Sequence, residues 1–217
     1  MKKFKVLNLY AGIGGNRKLW GDNDDITAVE INPKIAEVYA EYWPSDRLII
    51  GDAHQYLLDH YKEYDFIWSS PPCPSHSQVN SFLNAQGVVR YPDMKLWQEI
   101  IFLSKWYSGK WVIENVKPYY SDIARIGEPQ IKGRHWFWAN FKIPYGLESI
   151  NMGRFDNRTR GDRKEKLDKL GFDLDKYTGF DKVQVLRNCV TPEIGLAIYQ
   201  AAKGIYQENQ KSTGTLF

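Results

Sequence analysis

The stretch "KVLNLYAGIGG", residues 5–15, decides the fold: a short apolar run stops in a turn with three glycines among its last four residues. A strand that feeds a glycine turn and then a helix lets bare backbone N–H groups approach a ligand near the helix N-terminus. Gly12, Gly14 and Gly15 are therefore candidate cofactor-binding positions. The pattern alone is weak, and a dinucleotide-binding G-x-G-x-x-G beginning at Gly12 fails because Arg17 stands where its third glycine belongs.

Outward from this turn, β-type runs alternate with helical ones. "DITAVE" 25–30, "RLIIGD" 47–52, "YDFIWSS" 64–70, "KWVIENV" 110–116 and "HWFWANF" 135–141 read as further strands. Between them, "NPKIAEVYAEYW", "HQYLLDHYKEY" and "DMKLWQEIIFLSKWY" carry apolar residues near 3.6 spacing. Repeated β-then-α order predicts an α/β fold, an open and mostly parallel sheet covered by helices, whose ligands bind beyond the strands' carboxyl ends. Chemistry-bearing residues collect there: the glycines after strand one, Glu30 closing strand two, Asp52 closing strand three, Cys73 past strand four, and Glu114 and Asn115 on strand five. Glu30 suits the hydroxyls of a ribose and Asp52 an adenine amine; each read alone is equally an ordinary solvated acid.

Composition bounds the rest. A chain of 217 residues, 43% hydrophobic and 15% aromatic, has length for one large domain or one plus a small lobe. A net charge of +3 announces no nucleic-acid partner, so any basic surface must be local. Cys73 and Cys189 form neither a disulfide framework nor a zinc pattern, and thiols of this kind suit a reducing cytoplasm, the expected location. No run approaches the roughly 18 apolar residues of a membrane span, and no metal site is expected.

"SSPPCPSHS", residues 69–77, puts Cys73 on a turn whose prolines restrict the backbone on both sides. An isolated cysteine usually packs as a small hydrophobe. A thiol on a stiff turn beyond a sheet edge, with Glu114 and Asn115 on the next strand, also suits covalent catalysis.

"NLYAGIGG", "AVEINP", "GDAHQYL", "SPPCPSHS", "VIENV", "QIKGRHW" and "RNCVTPEIGLAIY", in this order, resemble the motifs of the cytosine-C5 DNA methyltransferases. The resemblance runs from residue 5 to about 205 and skips only 142–183. It implies a Rossmann-like class I methyltransferase fold that transfers a methyl group from S-adenosylmethionine to carbon 5 of a cytosine flipped out of double-stranded DNA. Residues 1–141 would form the catalytic and cofactor-binding domain, 142–183 a small target recognition region, 184–207 a segment returning to the catalytic domain, and 208–217 a tail.

The resemblance also assigns roles. Cys73 would add to carbon 6 of the base, Glu114 would hold ring nitrogen 3 and the 4-amino group, Asn115 would position the glutamate and the turn, and Arg134 would hold oxygen 2. Tyr10 would lie against the adenine of the cofactor, although it also suits a core position. Pro72 would line the same site and Asn188 would approach the methionine end. Ser77 and Arg90 would contact phosphates, with 78–95 as a loop closing over the strand and Gly87 its hinge. Two departures stand out: Lys132 where a second arginine is common, which keeps the charge but loses the planar fork, and Arg187 where a glycine is usual. Cys189 packs rather than reacts on this reading.

Residues 154–169 hold seven Lys/Arg against four Asp/Glu. A charge run is usually a solvated face, but this one lies where the family carries its target recognition domain. Arg154, Arg158, Arg160 and Arg163, with Lys132, are therefore candidate DNA contacts. At about 40 residues the region is short for the family, so a short recognition sequence, or help from a partner such as a restriction endonuclease, is expected. Three other readings stay open: an amino-methyltransferase acting on adenine N6 or cytosine N4, the same carbon-5 chemistry on RNA, and a nucleic-acid-binding module without catalysis.

Overall fold

The computed structural model describes residues 3–72, 87, 93–116, 127–132, 135–144, 146–147 and 170–206, with Ile131 and Lys132 described in backbone only. Among these residues one seven-stranded sheet has the order β3-β2-β1-β4-β5-β7-β6. Its strands are β1 (Lys5–Leu9), β2 (Asp25–Glu30), β3 (Arg47–Ile50), β4 (Phe66–Ser69), β5 (Lys110–Val116), β6 (Ile131–Lys132) and β7 (His135–Ala139). The first five are mutually parallel where they pair, whereas β7 runs antiparallel to both β5 and β6. The chain moves outward from β1 to β3 and then resumes on the other side of β1 with β4. The strand order therefore reverses between β1 and β4, and the crevice beyond their carboxyl ends is where such sheets bind ligands.

Helices α1 (Pro33–Tyr42), α2 (Ala53–His60), α3 (Lys95–Trp106), α4 (Lys182–Asn188) and α5 (Pro192–Lys203) cover the sheet. Their starts are local chemistry. Asn32, Asp52 and Asp181 each accept from backbone N–H groups of the first turn, and Pro33 and Pro192 stand where a missing N–H costs nothing. α5 stops where Gly204 takes a left-handed conformation at φ 71°.

Consecutive strand residues point to opposite faces, so each buried run feeds two cores. Val6, Phe66, Trp68, Val112 and Phe137 pack with Ile194, Ile198 and Tyr199 of α5. Leu7, Leu9, Ile67, Ile113 and Trp138 pack with Leu57 of α2 and with Leu96, Ile100 and Leu103 of α3. Each fully buried leucine or isoleucine contributes about 1.5–3 kcal/mol. A smaller third core joins Ile13 and Val38 to Leu170, Phe172, Leu174, Val185, Leu186 and Cys189. Residues 170–174, from the stretch expected to form the recognition region, thus lie against the glycine turn, and Cys189 is buried as expected.

One expectation is corrected. The glycine turn does not lead into a helix; residues 12–19 run as turns. The cause is that Asn16 and Arg17 point inward. Asn16 exchanges amide bonds with Asn8 of β1 at 2.9 and 3.4 Å. Arg17 is 1% exposed and forks onto Asp46 with two bonds of 2.9 Å, with a third of 2.9 Å to Asp22. Burial pulls the Arg17 pKa down, but the Asp46 bonds and charge outweigh it, so the net shift is upward and the guanidinium stays charged. No helix among the described residues is long and apolar enough to cross a membrane.

Candidate active site

A cavity of about 270 Å³ opens at the strand reversal. Its wall includes Tyr10 and Gly12 from the β1 end, Glu30 and Ile31 from β2, Pro71 and Pro72 after β4, Glu114 and Asn115 on β5, and Asn188 closing α4. Gly15, Asp52, Lys95, His135 and Cys189 also line it.

The glycine turn is shaped by three different demands. Gly12 sits at φ 58°, and a Cβ there would meet nothing within 4 Å, so its backbone borders open space. Gly14, at φ 81°, would drive a Cβ to 2.2 Å from Trp43 Nε1, and Gly15 would press one to 2.8 Å from the Cβ of Cys189. Gly12 therefore serves the cavity, while Gly14 packs beneath it. Tyr10 is itself left-handed at φ 55°. Its hydroxyl donates to Glu99 Oε1 at 2.7 Å, and burial together with the Glu99 charge pushes its pKa far up, so it remains a donor.

Glu30 is 8% exposed, with Oε2 accepting from Gly12 N–H at 2.9 Å and Oε1 from Asn32 N–H at 2.8 Å. The two amides fix the carboxylate, and each oxygen keeps lone-pair capacity toward the cavity. Ile31 beside it is 65% exposed, an apolar surface at the rim. Asp52, expected to close strand three, lies two residues past β3 as the cap of α2. Its Oδ1 accepts from His54 and Gln55 N–H at 2.8 and 3.1 Å, and Oδ2 faces Lys95 at 3.6 Å. The Gln55 amide, then Lys95 and the His54 amide, outweigh burial and hold its carboxyl below the usual range.

On β5, Glu114 and Asn115 are 5% and 1% exposed. Asn115 Nδ2 donates to Pro71 O at 2.9 Å and its Oδ1 accepts from Val116 N–H at 2.9 Å. Glu114 Oε1 bonds His135 Nδ1 from β7. Asn188 and Pro72 are exposed at the rim. Cys73, Arg134, Ser77, Arg90, Arg154, Arg158, Arg160 and Arg163 lie outside the described residues, and the side chain of Lys132 is likewise outside them.

Sequence reading missed three residues. His135 looks like an ordinary strand residue until the antiparallel register brings it to Glu114. Lys95 ends the stretch read as a closing loop, whereas the structure makes it the first residue of α3. Glu99 looks like the polar face of α3, yet it is fully buried and gathers Tyr10, His54 Nδ1 at 3.0 Å and the Ser69 hydroxyl at 2.5 Å. Its only sequence signal is a position among Trp97, Ile100 and Leu103 on the apolar side of the helix.

Comparison with known proteins supplies the context. Type II methylase M.HgiEI of Herpetosiphon aurantiacus is 26% identical over 220 residues, covering 96% of this chain and 48% of that protein. Type II methyltransferase M.HgiCII of the same organism is 27% identical over 204 residues, covering 89% and 45%. A tRNA (cytosine(38)-C(5))-methyltransferase of Spodoptera frugiperda is 31% identical over 86 residues, covering 37% and 26%. The chain spans about half the length of the type II relatives it matches. The family model for C-5 cytosine-specific DNA methylase matches residues 4–122, a span that holds the glycine turn, Glu30, the turn after β4 and the Glu114–Asn115 strand. That match takes in more than half of the chain, which therefore belongs to the C-5 cytosine-specific DNA methylase family.

Proposed function

We propose that this chain methylates carbon 5 of cytosine in double-stranded DNA, with S-adenosylmethionine as methyl donor and Cys73 as covalent nucleophile. The observation that carries the reading is that one cavity joins a backbone-fixed acid at the strand reversal to a second acid, Glu114, whose neighbour Asn115 ties down the turn leading to Cys73. The residues fit the cofactor. Glu30 suits ribose hydroxyls, Ile31 and Tyr10 offer surface to an adenine, the open side of Gly12 admits close approach, and Asn188 stands at the far rim. When bound, S-adenosylmethionine supplies an electrophilic methyl on its sulfonium sulfur.

The chain's own groups overcome the weak nucleophilicity of carbon 5. Cys73 bonds its sulfur to carbon 6, which breaks the ring's aromaticity and makes carbon 5 electron-rich. With an ordinary thiol pKa of about 8.5, a few per cent is thiolate at pH 7, a cost of roughly 2 kcal/mol. The larger demand is the negative charge entering the ring. Glu114 meets it by giving a proton to nitrogen 3, and it selects cytosine by accepting from the 4-amino group. Asn115 keeps the Cys73 turn in register with Glu114. Carbon 5 then takes the methyl, leaving S-adenosylhomocysteine, and transfer of the carbon 5 proton to solvent expels Cys73 from carbon 6 as thiolate. Flipping the base costs a few kcal/mol, offset by phosphate contacts for which Ser77, Arg90, Lys132 and the arginines of 154–163 are the candidates.

The test is incubation with S-adenosylmethionine and duplex DNA containing 5-fluorocytosine. An adduct trapped through Cys73, absent in Cys73→Ser, is the expected result. Methylation by Cys73→Ser, or N6-methyladenine or N4-methylcytosine as product, would overturn it. The names of the two Herpetosiphon relatives support a place beside a type II restriction endonuclease. The tRNA methyltransferase similarity supports a second reading, the same chemistry on tRNA. Parallel assays on duplex DNA and tRNA separate the two.

A further inference from the structure

In the antiparallel β5–β7 ladder Glu114 pairs with Phe137 and Val116 with His135, so Glu114 and His135 are diagonal neighbours on one face of the sheet. His135 Nδ1 is bonded to Glu114 Oε1, and the two side chains are 10% and 7% exposed. His135 Nε2 is buried with no partner among the described residues, and both residues line the cavity. The imidazole is therefore positioned on one oxygen of the carboxyl.

A carboxyl alone, ordinarily near 4.3, retains almost no proton at neutral pH. An imidazole hydrogen-bonded to it supplies a neighbouring nitrogen through which a proton can reach the carboxyl. We propose that His135 is the proton-relay partner of Glu114: its Nδ1 delivers to the carboxyl the one proton that nitrogen 3 takes. The proposal rests on the carbon-5 reading above.

The balance closes. As the Cys73 sulfur bonds to carbon 6, the carbon 5–carbon 6 π pair is pushed into the ring and nitrogen 3 takes a proton from Glu114. That proton is the one that Nδ1 of the imidazolium passed to the carboxylate, so the pair is left as a carboxylate and a neutral imidazole. After carbon 5 takes the methyl, with S-adenosylhomocysteine as leaving group, solvent accepts the carbon 5 proton, its electron pair restores the carbon 5–carbon 6 double bond, the carbon 6–sulfur pair leaves on Cys73 as thiolate, and the nitrogen 3 proton returns to the pair. Among the described residues few other titratable groups face the pair. β4 brings no titratable side chain, and β5 adds only Lys110 at its far end. Around the cavity stand Tyr10, Glu30, Asp52, Lys95 and Cys189, and Lys132 and Arg134 flank His135 in sequence. His135 is a positioning residue, because it acts through Glu114 and not on the substrate.

The test compares kcat against pH for the full chain and for His135→Gln, which keeps an amide donor but cannot titrate. The alkaline limb of the variant should move down by about one pH unit or more, a loss of roughly tenfold or more at pH 8 that closes only as pH falls toward about 4.3, where a lone carboxyl regains its proton. S-adenosylmethionine binding within about threefold of wild type checks that the variant folds. Superimposable profiles would overturn the proposal. Should His135→Gln fail to fold, the imidazole ¹⁵N shifts of wild-type protein decide: both nitrogens protonated at pH 7 supports the pair, and a neutral ring at pH 6 removes it. If wild type traps no 5-fluorocytosine adduct, the carbon-5 reading fails and takes this inference with it. If it traps the adduct while the profiles coincide, only this inference fails.

Discussion

Asn115 Nδ2 reaches across from β5 to the carbonyl oxygen of Pro71 at 2.9 Å, which fastens the strand that carries Glu114 to the turn that leads into Cys73. The side chain is 1% exposed, so this bond has no competing water. Asn115→Ala should lower kcat by about tenfold to a hundredfold, because the proposed nucleophile and the proposed acid lose their common frame. Cofactor affinity should move by less than about threefold, since no cofactor candidate depends on that amide. Single-turnover kinetics beside calorimetric titration checks the split, and equal losses in both would remove the positioning role.

The two positive-φ glycines of the first turn should respond differently. Gly14→Ala adds about 1–2 kcal/mol of backbone strain and a clash with Trp43, whose indole N–H donates to Ile13 O at 3.1 Å. Gly12→Ala adds the strain alone, but places its methyl group beside the cavity. Urea denaturation should therefore rank Gly14→Ala as the less stable, whereas calorimetry should rank Gly12→Ala as the weaker cofactor binder. The reverse order in either measurement contradicts this division of labour.

Arg17 and Asp46 form a buried pair with side chains 1% and 2% exposed, and Tyr39 adds a bond to Asp46 at 2.7 Å. Removing one partner of such a pair typically costs 3–5 kcal/mol, because the other charge stays buried alone. Arg17→Met should lose about that much, and the double variant Arg17→Met with Asp46→Leu should regain a large part of it. A denaturant series on the four proteins of the cycle tests this.

Asp24 joins the start of β1 to the end of α5: it accepts from Phe4 N–H at 3.1 Å and meets Tyr199 and Lys203 of α5. Burial raises its pKa, but the bonds from Lys203, Tyr199 and the Phe4 amide outweigh it, so the net shift is downward. A carboxyl depressed in the folded state contributes stability above its unfolded value, about 3.9, and loses it as pH falls through the folded value. Wild type should exceed Asp24→Asn by about 1–3 kcal/mol from pH 5 to 7, and the gap should shrink below about pH 4. Denaturation midpoints across that range decide; a gap that widens on acidification would refute the assignment.

The β-then-α order was legible because its signals are local. Asn32, Asp52 and Asp181 cap helices that begin at the next residue, and buried runs such as "FIWS" need no tertiary information to read as strands. That the glycine turn, Glu30, Glu114 and Asn115 would gather at one crevice was legible from their places at successive strand ends. What escaped was made by register and depth. Nothing in "RHWFW" announces that an antiparallel partner will bring His135 to Glu114. Glu99 is indistinguishable in sequence from a surface acid until α3 presses it against Tyr10, His54 and Ser69. Arg17 was legible only as a missing glycine, and its inward turn is what replaced the expected helix.

The forked grip of Arg17 on Asp46 bears on redesign. Installing the absent third glycine would look like the simplest route from this pocket to one for nicotinamide dinucleotides. It would instead strand a carboxylate in the protein interior and unseat Asp22 and Trp43 with it, whose contacts with Arg17 are a 2.9 Å bond and a 5.0 Å cation–π approach. Such a conversion would have to rebuild the floor before it touched the doorway.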